Sequence, residues 1–148
     1  MMRRLLAIAT GLSMTTAVLV QQPTQAQGTT RRCIALREIT TKQRAIRKVI
    51  ALNNSNANTD FAVPTGRQFS SFVAQVIPEN NSRYEIEVNL KYNDGSSSRA
   101  VSRTIDARRF YRYDQPFRTP TARQPFQINT RITGNRNTAY QVSVFACQ

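Results

Sequence analysis

"SRYEIEVNLKYNDG", Ser82 to Gly95, decides the fold. Tyr84, Ile86, Val88, Leu90 and Tyr92 alternate with Glu85, Glu87, Asn89 and Lys91. Successive side chains of a strand point to opposite faces, so this alternation predicts a strand with one apolar face buried and the other in water. Asp94-Gly95 then signals a hairpin, because glycine accepts positive φ at little cost. "SRAVSRTI" leads the chain back, with Val101 and Ile105 as its apolar positions.

Similar patterns lie on both sides. Upstream, Phe72, Ala74 and Val76 share one parity, Pro78 stops the strand and "PENNS" turns it. "TDFAVPTG", from Thr59, reads as a short edge strand whose pairing is limited by Pro64. Downstream, Phe126, Ile128 and Ile132 share a parity, "GNRN" turns, and Tyr140, Val142, Val144 and Ala146 form one face. Residues 39–52 fit two patterns. Ile39, Ile46, Val49 and Ile50 fit a helical stripe, capped at Thr40 or Thr41. Ile34 with Leu36, and Ile46 with Ile50 and Leu52, fit two strands. The β-branched content favours strands. Six to nine short strands divided by turn residues predict an all-β chain: a single antiparallel β-sandwich of jelly-roll or Ig-like type.

The sandwich is assigned to residues 27–148. Before it, "MMRR" is a basic head, Leu5 to Val20 is apolar, and small residues stand at Thr24 and Ala26. That is the plan of a secretory signal peptide over residues 1–26, cleaved after Ala26. The apolar run is too short and too rich in Thr, Ser and Gly for a membrane anchor, so no transmembrane span is expected after cleavage. Cys33 and Cys147 are the two cysteines. In an oxidising compartment they read as a disulfide joining the first strand to the last. Both lie off the main apolar parity, which places the bridge on the outer or edge side. The expected location is secreted or periplasmic, in a bacterial envelope.

Charge narrows the partners. The chain carries 21 basic and 8 acidic residues, net +13, with no histidine. Loss of Arg3 and Arg4 with the leader lowers this to about +11. The remaining basic residues are arginine except Lys42, Lys48 and Lys91. Arginine's planar fork grips carboxylate, sulfate or phosphate in two places. Outside the cytoplasm the expected partner is an acidic polysaccharide or other polyanion, or an envelope protein; export argues against nucleic acid.

"ARRFYRYDQPF", Ala107 to Phe117, is where arginines and aromatics interleave most densely. As a strand it would have no cleanly apolar side, which suits an edge strand or an exposed connection. Arg108, Arg109, Tyr111, Arg112 and Tyr113 are the candidate binding residues, able to clamp anions and stack on rings. In the structural alternative, Phe110 and Tyr111 plug the end of the sandwich while the arginines pair with Glu85, Glu87 and Asp106 or guard an edge. Arg99, Arg103, Arg118 and Arg123 flank this strip. A second basic group runs from Arg31 to Lys48, and together the two would make one broad face.

Catalysis is not expected. Without histidine the common serine and cysteine triads are excluded, and no SxxK pairing or glycine-rich phosphate loop occurs. Glu85 and Glu87 could be read as a glycosidase pair, but alternation alone explains them as a polar outer face. No cofactor and no metal is expected: two isolated thiols do not make a zinc site, and "PENN" and "YNDG" are explained as turns. The sequence thus points to an exported, non-enzymatic binding module for an anionic envelope or extracellular polymer. A structural or protein-interaction sandwich meeting its partner at an exposed strand is the alternative, and a carboxylate-dependent hydrolase a distant third.

Overall fold

The computed structural model describes residues 32–148; the expected leader and its cleavage point lie outside them. Ten strands follow one another among the described residues: β1 (Cys33–Ala35), β2 (Arg37–Glu38), β3 (Ile46–Val49), β4 (Asn58–Ala62), β5 (Ser71–Pro78), β6 (Ser82–Lys91), β7 (Ser97–Ala107), β8 (Tyr113–Phe117), β9 (Gln127–Gly134) and β10 (Ala139–Cys147). One sheet has the order β1-β10-β5-β8, with β3 also pairing β10. The other runs β2-β4-β9-β6-β7. Every pairing is antiparallel. If β1 and β3 are taken as one interrupted first strand, each sheet alternates early and late strands as a jelly roll does. Of the two sandwich types expected, the jelly roll is the one found.

The interruption has a clear local cause. β1 pairs the last residues of β10 (Cys33 with Cys147, Ala35 with Phe145), and β3 pairs the first ones (Val49 with Ala139, Ile46 with Val142). Between them the chain crosses to the second sheet. The Leu36 amide still donates to Val144 O at 2.8 Å, while Arg37 and Glu38 pair Ala62 and Phe61. Within residues 39–52 the one strand is β3, and no α-helix forms. Ile46 and Ile50 are buried as expected, but Leu52 is exposed. It opens a short 3-10 turn in which Asn53 and Asn54 take positive φ (57° and 53°).

The β6 alternation builds the core. Tyr84, Ile86, Val88 and Leu90 are fully buried, and across the sheets so are Phe72, Ala74, Val76, Val142 and Val144. Each large aliphatic side chain buried in this way contributes about 1.5–3 kcal/mol. The Tyr84 hydroxyl donates to Ala139 O at 2.9 Å, which satisfies a buried polar atom at the start of β10. Burial pushes both the Tyr84 and Tyr140 phenols above their ordinary pKa. The predicted hairpin closes as read: Gly95 has φ +83°, and the Tyr92 amide donates to Ser96 O at 3.0 Å.

Two edge assignments differ from expectation. β4 is not an edge strand, because β2 covers one side of it and β9 the other; Pro64 lies beyond its last residue and interrupts nothing. Phe126 does not join Ile128 and Ile132 inside. It precedes β9, past the end of the core, where its amide donates to Lys91 O at 3.0 Å and its ring stays exposed.

Cys33 and Cys147 stand directly opposite each other and are bonded, with Cα atoms 4.0 Å apart. Cys33 is exposed on the edge strand, as the parity implied, whereas Cys147 is covered. Among the described residues no helix is long and apolar enough to cross a membrane.

Candidate functional site

β7 ends at Ala107 and β8 begins at Tyr113, so the densest part of the arginine–aromatic strip is a connection between sheets. Its amides are held. Arg108 N donates to the Tyr113 hydroxyl at 2.8 Å, and Arg109 N to Asn81 Oδ1 at 2.8 Å. Phe110 N donates to Pro78 O at 2.7 Å, and Tyr111 N to Arg108 O at 3.2 Å. The turn thus rests on the β5–β6 turn and on its own tyrosine. Phe110 sits at φ 63°. That left-handed conformation is costly for a bulky residue and persists only where the surroundings impose it.

Phe110 and Tyr111 do not plug the sandwich; they are 61% and 59% exposed. The arginines arrange themselves around these rings. The Arg109 guanidinium carbon lies 4.6 Å from the Phe110 centroid, and that of Arg108 lies 5.8 Å from Tyr111. Such contacts contribute about 0.5–1 kcal/mol at exposed sites and, more to the point, fix where the charge is presented. Neither arginine forms an ion pair among the described residues. Arg112 does, with its Nε 3.2 Å from Asp114 Oδ2, while Asp114 Oδ1 accepts from Gln75 Nε2 at 3.1 Å.

Of the five candidates, Arg108, Arg109 and Tyr111 come together on an exposed tip, and Arg112 lies beside it, partly neutralised. Tyr113 is half-buried against the core and spends its hydroxyl on the loop. Phe110 belongs to the same tip and was not among the candidates. Its only signal in the sequence is its place between Arg109 and Tyr111, since positive φ at a phenylalanine leaves no mark in composition.

The flanking arginines do not join the tip. Arg99 lies 3.9 Å from Glu87. Arg103 is paired opposite the buried Ile86 yet remains exposed on the outer strand β7, an inward-side charge that guards a sheet edge. Arg123 is at the far end of the molecule, 2.9 Å from Asp94 and over the Tyr92 ring at 4.4 Å. The hydroxyl and amide of Ser96, with Arg123, hold the Asp94 carboxyl down at about 2.

In the second basic group, Arg47 and Lys48 lie on β3, with β10 and β5 between them and β8, whereas Arg37 lies on β2 at the edge of the other sheet. One member reaches toward the tip: Arg47 binds Glu79 of the β5–β6 turn at 2.7 Å. Lys48 turns inward instead, and its ammonium donates to the carbonyls of Asn56 (2.9 Å) and Asn58. Desolvation lowers the Lys48 pKa, with Glu38 and Asp60 opposing. Among the described residues the two groups therefore do not merge into one broad basic face.

Glu85 and Glu87 project from the outer side of β6. Glu85 accepts from the Thr133 hydroxyl at 3.3 Å, and Glu87 lies near Arg99. Among the described residues no three acidic or cysteine side chains gather as a metal site would require.

No protein-family model matches the chain. Nor does any curated protein sequence. Two solved structures are similar in backbone course. "Truncated AlyQ with CBM32 and alginate lyase domains" gives a TM-score of 0.48 at 11% identity, over 80% of this chain and 34% of that one. The Clostridium thermocellum endo-1,4-beta-D-xylanase 10B CBM22-1-GH10 modules, complexed with xylohexaose, give 0.45 at 10% identity, over 82% and 25%. The chain thus spans about a third and a quarter of the lengths of those two. These similarities assign no residue a role.

Proposed function

We propose that the protein is an exported, non-enzymatic module that binds an acidic polysaccharide or a similar polyanion outside the cytoplasm. The carrying observation is the β7–β8 tip: two guanidiniums without carboxylate partners among the described residues, each laid on an exposed aromatic ring. Guanidinium forks take the ligand's acid groups, the rings take its apolar sugar faces, and the rigid turn removes part of the ordering cost of binding. Arg108, Arg109 and Tyr111 make the contacts, Arg112 extends the field, and Tyr113 holds the turn in shape. The disulfide favours a secreted or periplasmic setting.

Retention of the oxidised protein on an immobilised acidic polysaccharide should fall steeply as salt rises, because each contact displaces counterions. Changing Arg109, Tyr111 and Arg112 together to alanine should abolish retention at moderate salt. Undiminished retention after the triple change overturns the reading.

An envelope protein adding a strand to β7 would have to accommodate Arg103 on the core side of that edge. It would also have to match the bulge between Val88 and Asn89, where β7 holds one extra residue. Both features disfavour the docking alternative at that edge, and such docking would be far less sensitive to salt.

A further inference from the structure

The end of the sandwich away from the β7–β8 tip carries a cleft of about 740 Å³ between the β4–β5 and β8–β9 connections. That lies within the range of about 300–1,000 Å³ usual for small-ligand sites. Its walls are tied together. The Gln124 side chain accepts from Phe69 N at 3.1 Å and donates to Phe69 O at 2.8 Å, so an amide bridges the two connections as a strand neighbour would. Ser70 is fixed to the end of β10, its amide donating to Cys147 O at 2.8 Å. The buried Phe69 ring backs the cleft and packs on Phe72, with centroids 6.1 Å apart.

With Gln124 and Ser70 engaged, the side chains left to meet a ligand are the Arg118 guanidinium, the Gln68 and Gln148 amides and the Thr119 and Thr121 hydroxyls. Arg118 has no ion-pair partner among the described residues, and no Asp or Glu side chain lines the cleft. Such a lining suits a small, hydroxyl-rich ligand that carries one acid group. It offers no exposed aromatic platform and no second cation for a heavily charged one.

We propose that this cleft is a second binding site, for a single carboxylate-bearing sugar unit held by Arg118, separate from the tip. The ligand class rests on the polyanion reading given above; the location does not. Arg118 immediately follows β8, and the tip immediately precedes it, so the two sites sit at opposite ends of one strand. Six residues of extended chain, Arg112 to Arg118, span about 20 Å, too far for one sugar unit to touch both.

The test is a backbone-amide NMR titration of the oxidised protein with trigalacturonate and with the corresponding neutral trigalactoside. Trigalacturonate should move two separate groups of amides, residues 68–70 with 118–124 and residues 108–112, while the neutral sugar moves the first group at least tenfold more weakly. Arg118→Ala should weaken the cleft response at least tenfold and leave the tip response unchanged; Arg118→Lys should restore part of it. Movement at the tip alone rejects the cleft and spares the tip reading. Movement at the cleft alone does the reverse. Equal response to the neutral sugar rejects the acidic class at the cleft, and no movement at millimolar ligand rejects both sites.

Discussion

The Tyr113 hydroxyl accepts the Arg108 amide at 2.8 Å, which closes the β7–β8 turn on its own side chain. A tyrosine that looks from the sequence like a ligand contact is thereby a brace for the turn that carries Arg108, Arg109 and Tyr111. Tyr113→Phe should keep the fold and leave one main-chain amide without its partner. The expected cost is about 1 kcal/mol in thermal unfolding. Elution from an acidic polysaccharide should shift to lower salt, though less than for Arg109→Ala. A Tyr113→Phe protein that elutes like Tyr111→Ala would instead make Tyr113 a direct contact.

Phe110 separates stability from binding. At φ 63° a glycine is relaxed where phenylalanine is strained. Phe110→Gly should therefore leave the unfolding midpoint unchanged or raise stability by up to about 1 kcal/mol. The same change removes the ring beneath Arg109, so retention on the polymer should fall. Loss of both properties together would mean that the ring packs on the body of the protein and is not presented to a ligand.

The cystine can be weighed directly. It closes a loop with a sequence separation of 114, for which chain entropy gives about 4–5 kcal/mol at most. Cys33→Ala with Cys147→Ala should lower stability toward that limit, read as a lower denaturant midpoint. The β1–β10 register leaves β1 only three residues long, so loss of the bond should also raise amide exchange at residues 33–35 before anywhere else.

Glu38 sets an acid limb. The Thr41 amide (2.6 Å), the Thr40 amide (3.0 Å) and the Thr41 hydroxyl (2.7 Å) hold its carboxyl down at about 2, against burial, which acts in the opposite direction. A carboxyl lower in the folded than in the unfolded chain stabilises above the unfolded value and loses that contribution as pH falls. The loss should run from about 4.5 down to about 2. In Glu38→Gln the unfolding temperature should be lower at neutral pH and should fall less steeply across that window. Parallel pH profiles for the two proteins would show that Glu38 is not responsible.

Much of this architecture is written in the chain at short range. Tyr84 to Tyr92 alternates because one sheet face is dry, and Asp94-Gly95 turns because glycine tolerates positive φ, so both survive without knowledge of neighbours. The cysteine pair is legible because the chain has two thiols, each with the other as its one possible partner. What escapes is set at long range. β1, β2 and β3 have two to four residues each, too few to show a period, and the exchange between sheets at Leu36 is decided by Val144 more than a hundred positions away. The tip was half visible: its arginines and Tyr111 stand in plain view. The roles of Phe110 and Tyr113 depend on Pro78, Asn81 and a turn that the strand reading could not anticipate.

The place of β10 bears on how the molecule is made. β1 and β3 have no neighbour in their sheet other than β10, and β5 touches β10 along residues 71–78. The pairing of β1 and β3 therefore waits for the last strand of the sandwich. Up to that moment the preceding residues carry unpaired strands and exposed apolar faces, with pairings of high sequence separation still to form, which makes folding slow. Oxidation at residue 147 then locks a topology that no earlier fragment could have held.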